Sequence, residues 1–185
     1  MKVELLLIWL TILIYAIATF GYLVSVVFGK KKIMNILTWL GWLIHTSAII
    51  LRWLRVGHPP FLSLFELVSL GAWWTIIIFL IFSIRQSKGR VLGAIVLPFT
   101  FLSLGLVINT PTAPVPLNPA LKSFWLYIHI GFALFTYGSY ILSASAAVLY
   151  LTKRIEEMDK LSYRFILLGF LTHAIMIAFG AVWAD

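Results

Sequence analysis

Residues 3–28 read VELLLIWLTILIYAIATFGYLVSVVF, and the run stops at Lys30, Lys31 and Lys32. Its apolar residues lie all round and do not alternate, so it reads as a helix and not as a strand of a membrane barrel. A run of this length exceeds the roughly 20 helical residues that cross a bilayer core of about 30 Å. Ala16-Ile17-Ala18 resembles a signal-peptide cleavage site. The run continues past it, however, and Glu4 stands where a leader peptide carries basic residues, so the sequence predicts a retained helix.

Working outward, the same pattern recurs over about 33–54, 64–84, 91–108, 124–151 and 163–183. The expected fold is therefore all-α, a polytopic membrane bundle of about six transmembrane helices forming one transmembrane domain over residues 1–185. Composition agrees: 62% of residues are hydrophobic and 11% charged, where soluble domains are about half apolar and a quarter charged. The net charge of +8 sits in short clusters between apolar runs, which argues for membrane topology and against a nucleic-acid partner. The absence of cysteine excludes a disulfide framework, a thiolate metal site and covalent heme attachment to this chain. No glycine-rich phosphate loop and no zinc-helix histidine pair occur.

Ten basic residues (Lys30, Lys31, Lys32, Arg85, Lys88, Arg90, Lys153, Arg154, Lys160, Arg164) fall on one side of the alternating spans, and four (Lys2, Arg52, Arg55, Lys122) on the other. The positive-inside rule then puts the N-terminus outside, together with the connections 55–63 and 109–123. These outer connections carry Gly57, His58, Pro59 and Pro60, then Pro111, Pro114, Pro116 and Pro119. Proline makes them stiff surfaces, the kind of loop on which sites lie. Pro98 is expected to kink the fourth helix.

Ligand-type side chains inside spans are costly and point to function. His45 lies in the second span, His129 in the first turns of the fifth and His173 in the middle of the sixth, while His58 lies in an outer connection. Trp39, Trp42 and His45 recur every third residue, and Arg52 follows His45 by seven, or about 10.5 Å along a helix. A histidine, an arginine and indoles on one stripe suit heme, with its iron, its acidic edge and its flat ring. They equally suit a snorkelling arginine and an interfacial tryptophan belt. Glu66 is the one acid placed to face an outer site, and a cap or an ion pair with Arg55 would also account for it.

Three ordered stretches carry a resemblance. The first runs from His45-Thr46 through Arg52-Trp53 and Gly57-His58-Pro59-Pro60 to Leu64-Phe65-Glu66. The second runs from Pro114 through Pro119-Ala120-Leu121-Lys122-Ser123-Phe124-Trp125 to His129 and Tyr137-Gly138. The third comprises Leu161-Ser162-Tyr163-Arg164, Gly169-Phe170 and Gly180-Ala181-Val182-Trp183-Ala184. Together they resemble cytochrome c biogenesis proteins of the CcsA/ResC type, which carry heme b as transient cargo and attach it to apocytochrome c on the outer membrane face.

The resemblance implies His129 as an external iron ligand and His45 as an intramembrane one. His58, Arg52, Arg55, Trp42 and Trp125 become candidate heme or propionate contacts, with Glu66 as a polar partner and no other metal. His173 has no counterpart and stays outside the expected site. The family's tryptophan-rich segment and second external histidine would follow Asp185. The working protein is therefore expected to continue, or to pair with a second membrane chain, and the segment alone is not expected to be an active heme lyase. The expected location is a bacterial-type inner membrane or a thylakoid membrane. A relative that regulates heme biosynthesis, or a membrane scaffold subunit binding no cofactor, remains an alternative.

Overall fold

The computed structural model describes residues 3–28, 32–85 and 91–185. The expected inner anchors Lys30, Lys31, Lys88 and Arg90, and Lys2 on the other side, lie outside these residues. Six α-helices and a short 3-10 turn at Pro119–Leu121 make up the described fold, and no strand occurs among the described residues. The helices are α1 (Val3–Phe28), α2 (Lys32–Val56), α3 (Leu64–Arg85), α4 (Gly93–Val107), α5 (Phe124–Lys153) and α6 (Glu156–Ala184). Five of them are long and apolar enough to cross a membrane. α4 has 15 residues, or about 22 Å at 1.5 Å per residue, and carries Pro98 inside it. The chain is thus an all-α integral membrane protein.

Two helix ends depart from the apolar runs for a physical reason. α6 begins at Glu156, where the hydropathy pattern predicts a span from about 163. Glu156, Glu157 and Asp159 occupy its first turn, where carboxylates complement the positive end of the helix dipole, so the charged stretch folds as helix. Only Arg154, left-handed at φ 52°, and Ile155 separate it from α5. α2 ends at Gly57, whose φ of 77° closes the helix through its N–H to the Trp53 carbonyl at 2.9 Å.

The chain divides into two compact units, Met1–Val115 and Pro116–Asp185. In the first, α1 packs on α2 and α4, and α3 packs on α2 and α4, so the four helices form a closed ring. Its core contains Ile8, Tyr15, Tyr22, Ile76, Phe79, Leu80, Val96, Leu97 and Leu104. Two glycines admit the tyrosine rings. A Cβ on Gly41 would meet Tyr15 Cε1 at 2.7 Å, and one on Gly93 would meet Tyr22 Cε1 at 2.6 Å. The second unit is an α5–α6 hairpin with small polar residues along its seam. Thr136 donates to Thr172 Oγ1 at 2.8 Å and Ser143 donates to the Ser162 carbonyl at 2.8 Å. Small side chains and such bonds let two helices approach closely in lipid, where apolar surface alone gives no reason to associate.

Candidate functional site

The first unit holds a buried charge cluster around Arg52. The segment Ser63-x-x-Glu66 forms a capping box at the start of α3. Ser63 Oγ accepts from the Glu66 N–H at 3.2 Å, and Glu66 Oε2 accepts from the N–H groups of Ser63 at 3.2 Å and Leu62 at 2.9 Å. The box fixes the carboxylate, and its other oxygen, Oε1, receives Arg52 Nε at 2.8 Å and Nη2 at 2.7 Å. The rest of the guanidinium reaches the backbone before the unit boundary. Nη1 donates to the Thr112 carbonyl at 2.6 Å, and Nη2 approaches the Ala113 carbonyl at 3.5 Å. The group also lies 5.7 Å from the centre of the Phe65 ring. Arg52 is 3% exposed, and its donors are almost fully used.

Glu66 is therefore both a cap and an ion-pair member, and its partner is Arg52, not Arg55. Arg55 meets Glu4, with Nη2 2.6 Å from Oε1. Helix phase separates the two arginines. Arg52 continues the stripe of His45 and Ala48, which is buried against the bundle, while Arg55 lies three residues on at its edge. His58 closes the same region, with Nε2 3.0 Å from the Val115 carbonyl and Nδ1 3.0 Å from the Pro59 carbonyl. Arg52 and His58 together hold the carbonyls of residues 112, 113 and 115.

One helical stretch deeper, His45 is fully buried, with Nε2 2.9 Å from Ser69 Oγ and its ring edge-on to Tyr15 at 6.1 Å. Trp42 leaves that stripe for α3, where it stacks on Trp73 at 5.2 Å and meets Trp39 edge-on at 5.7 Å. A cavity of about 10 Å³, lined in part by Glu4, Arg52, Glu66 and Ser69, lies between the charge cluster and His45. It has room for one water and none for a porphyrin.

The second unit assembles a different site. His129 Nδ1 lies 2.8 Å from the Met176 carbonyl on α6. A carbonyl oxygen only accepts, so Nδ1 must carry the proton, and a neutral imidazole then keeps its lone pair on Nε2. This is the tautomer that a metal ligand needs, oriented by a backbone acceptor on the opposite nitrogen. Gly180 makes the contact possible, because a Cβ there would stand 2.7 Å from His129 Nδ1.

Trp125 lies one turn before His129 on α5. It stacks on Phe179 of α6 at 5.6 Å and 16°, and Phe132 stacks on Phe179 at 6.0 Å and 17°. A histidine with a free Nε2 thus sits in a hairpin end furnished with parallel aromatic planes, and Trp125 is 42% exposed. His173 turns elsewhere, with Nδ1 3.1 Å from the Tyr140 hydroxyl. No group of three or more histidine and acidic side chains suited to a metal ion occurs among the described residues. An iron held here would therefore have to bring most of its own coordination, as heme does.

Glu4, Ser69, Phe132, Phe179 and Gly180 belong to these sites although the sequence reading did not select them. Glu4 had a signal, being an acid inside an apolar run. Phe179 and Gly180 gain meaning only from the pairing of α6 with α5.

The fold and these sites define an integral membrane protein with a histidine–aromatic site at one hairpin end and a buried ionic cluster in a four-helix ring. Residues 61–185 match the family described as cytochrome C assembly protein, and the chain belongs to that family. It is similar to "Cytochrome c biogenesis protein CcsA" of Chlamydomonas reinhardtii, at 30% identity over 74% of this chain and 44% of the relative. The protein of the same name from Cycas taitungensis is 27% identical over 76% of this chain and 62% of the relative. That of Guillardia theta is 28% identical over 95% of this chain and 71% of the relative. The chain thus spans between about half and two thirds of the length of several curated relatives that it matches.

Proposed function

We propose that this chain handles heme for cytochrome c maturation, taking it as cargo at the His129 end of the α5–α6 hairpin. The observation that carries the reading is the fixed tautomer of His129, with Nδ1 on the Met176 carbonyl beside the Trp125–Phe179–Phe132 planes. His129 Nε2 offers one axial ligand, and the aromatic rings offer an apolar face to the macrocycle. The names of the relatives support the pathway. The opposite axial position and a tryptophan-rich cover are assigned to sequence outside residues 1–185, on this chain or a second one, and apocytochrome c is the acceptor.

Arg52, Arg55, His58 and Glu66 serve this reading as the frame that holds residues 112–115, not as free propionate hooks. Trp42 packs within the first unit, and His45 takes no iron. Purification from heme-replete cells should give a Soret band, measured by absorption spectroscopy of the protein in detergent. A protein with no heme band under those conditions would favour a scaffold without cofactor and sink the proposal.

The same reading places the 109–123 connection and the N-terminus outside an energy-transducing membrane, and the α5–α6 connection inside. Cysteine is absent, so single cysteines report cleanly. Ala113→Cys in intact cells should react with a membrane-impermeant maleimide, and Asp159→Cys should react only after permeabilisation. The reverse pattern would invert the topology and put the His129 end on the wrong side for this function.

A further inference from the structure

Polar groups buried in lipid-embedded helices are costly unless satisfied. Most hydroxyls in this chain meet that demand by bonding back to their own helix. Thr11, Thr38, Thr46, Thr75 and Thr100 all donate to the carbonyl four residues earlier, at 2.7 to 2.8 Å. Ser69 has no such bond among the described contacts and instead meets His45 Nε2 across the bundle at 2.9 Å. The cavity of about 10 Å³ opens on Ser69, Glu4, Arg52 and Glu66, and that volume fits a single water.

Two buried atoms near this line have no hydrogen bond. Glu4 Oε1 is one of them. It lies 2.6 Å from Arg55 Nη2 and 4.0 Å from Arg52 Nη1, as charge neighbours out of line for a hydrogen bond. His45 Nδ1 is the other. The cavity offers Glu4 Oε1 the partner that it lacks, and a water needs two to four polar partners to remain in such a space.

We infer that this cavity is a water-binding site, and that its water links the Glu4–Arg52–Glu66 cluster to His45 through Ser69. The water donates to Glu4 Oε1 and joins Ser69 Oγ, whose remaining lone pair or proton is directed into the cavity once His45 Nε2 occupies the other. This arrangement gives His45 a route for proton exchange that its complete burial otherwise denies. When a proton moves inward, an acid at Glu4 passes one to the water, the water passes one to Ser69 Oγ, and the serine's own proton passes to His45 Nε2. Glu4 is left as carboxylate, to be reprotonated from the bulk on the side of the partly exposed Arg55.

The charged and titratable groups that bear on His45 are Glu4 and Tyr15 on α1, Arg52 and Arg55 on α2 and Glu66 on α3. α4 contributes no ionisable side chain. The site is independent of heme and of the His129 end.

Water-edited solid-state NMR of the heme-free protein in lipid bilayers tests this, with ¹⁵N-labelled histidine and the His45 signal assigned by its loss in His45→Gln. Polarisation from water should reach the His45 ring nitrogens at a rate near that of solvent-contacting sites. It should fall several-fold in Ser69→Ala, which breaks the line, and in Ala48→Leu, which fills the cavity that Ala48 lines. Ser69→Ala removes one oxygen and leaves the packing nearly unchanged, so it remains informative if Ala48→Leu fails to fold. A dry His45 in the wild type, or an unchanged rate in Ser69→Ala, would overturn the assignment.

Discussion

Arg52→Ala is expected to destabilise the first unit by about 3–5 kcal/mol, the cost of breaking a buried ion pair by removing one partner. The Glu66 carboxylate is 2% exposed, and after the substitution it keeps only its backbone bonds to Leu62 and Ser63. The carbonyls of Thr112 and Ala113 lose their donor as well. Arg52→Lys should recover only part of the loss, because one ammonium cannot reproduce the paired contact of Nε and Nη2 with Glu66 Oε1 while also reaching the Thr112 carbonyl.

The double substitution Arg52→Met with Glu66→Gln should cost less than Arg52→Met alone. Glutamine can keep the capping box, and no buried charge is then left facing a missing partner. Thermal unfolding in detergent, followed by circular dichroism, gives the comparison. Equal loss in the single and double variants would mean that Arg52 acts through packing and not through Glu66.

Much of the fold was legible because lipid imposes a simple rule. Every backbone group must be satisfied inside the segment, so a long apolar run is a helix. The runs therefore marked where the helices lie, and they missed only where polarity and helicity part company. The first turn of α6 is charged and helical, because its acids favour a helix N-terminus. The site was legible in its residue types and less so in its pairings. Ser63-x-x-Glu66 announces a capping box in sequence, yet the choice of Arg52 over Arg55 depends on which face of α2 meets α3. Hydropathy does not report that when a helix is apolar all round. The stripe His45–Ala48–Arg52 held the answer, because its middle member is small. His129 was legible as a ligand type, but its proton position depends on the Met176 carbonyl, and a backbone group on another helix leaves no mark in the sequence.

That proton position leads to the other large expected effect. His129→Ala should remove nearly all heme bound by the chain, and added imidazole should restore part of it, because the substitution deletes the ligand and leaves a space of its size. Gly180→Leu should give a comparable loss with His129 still present. A Cβ at 180 already stands 2.7 Å from His129 Nδ1, and a larger side chain must drive the ring off the Met176 carbonyl. Once that bond is lost, nothing fixes which nitrogen carries the proton, and outer-shell partners of ligating histidines typically account for about 10- to 100-fold in affinity. Imidazole should rescue Gly180→Leu poorly, because the displaced ring and the new side chain fill the space that the free ligand needs. His173→Ala should bind heme as the wild type does, since that ring points to Tyr140. The readout is the Soret absorbance per protein after purification, with and without imidazole. Wild-type heme content in Gly180→Leu would show that the seat on α6 does not orient the ligand. Wild-type content in His129→Ala would remove the ligand itself from the site.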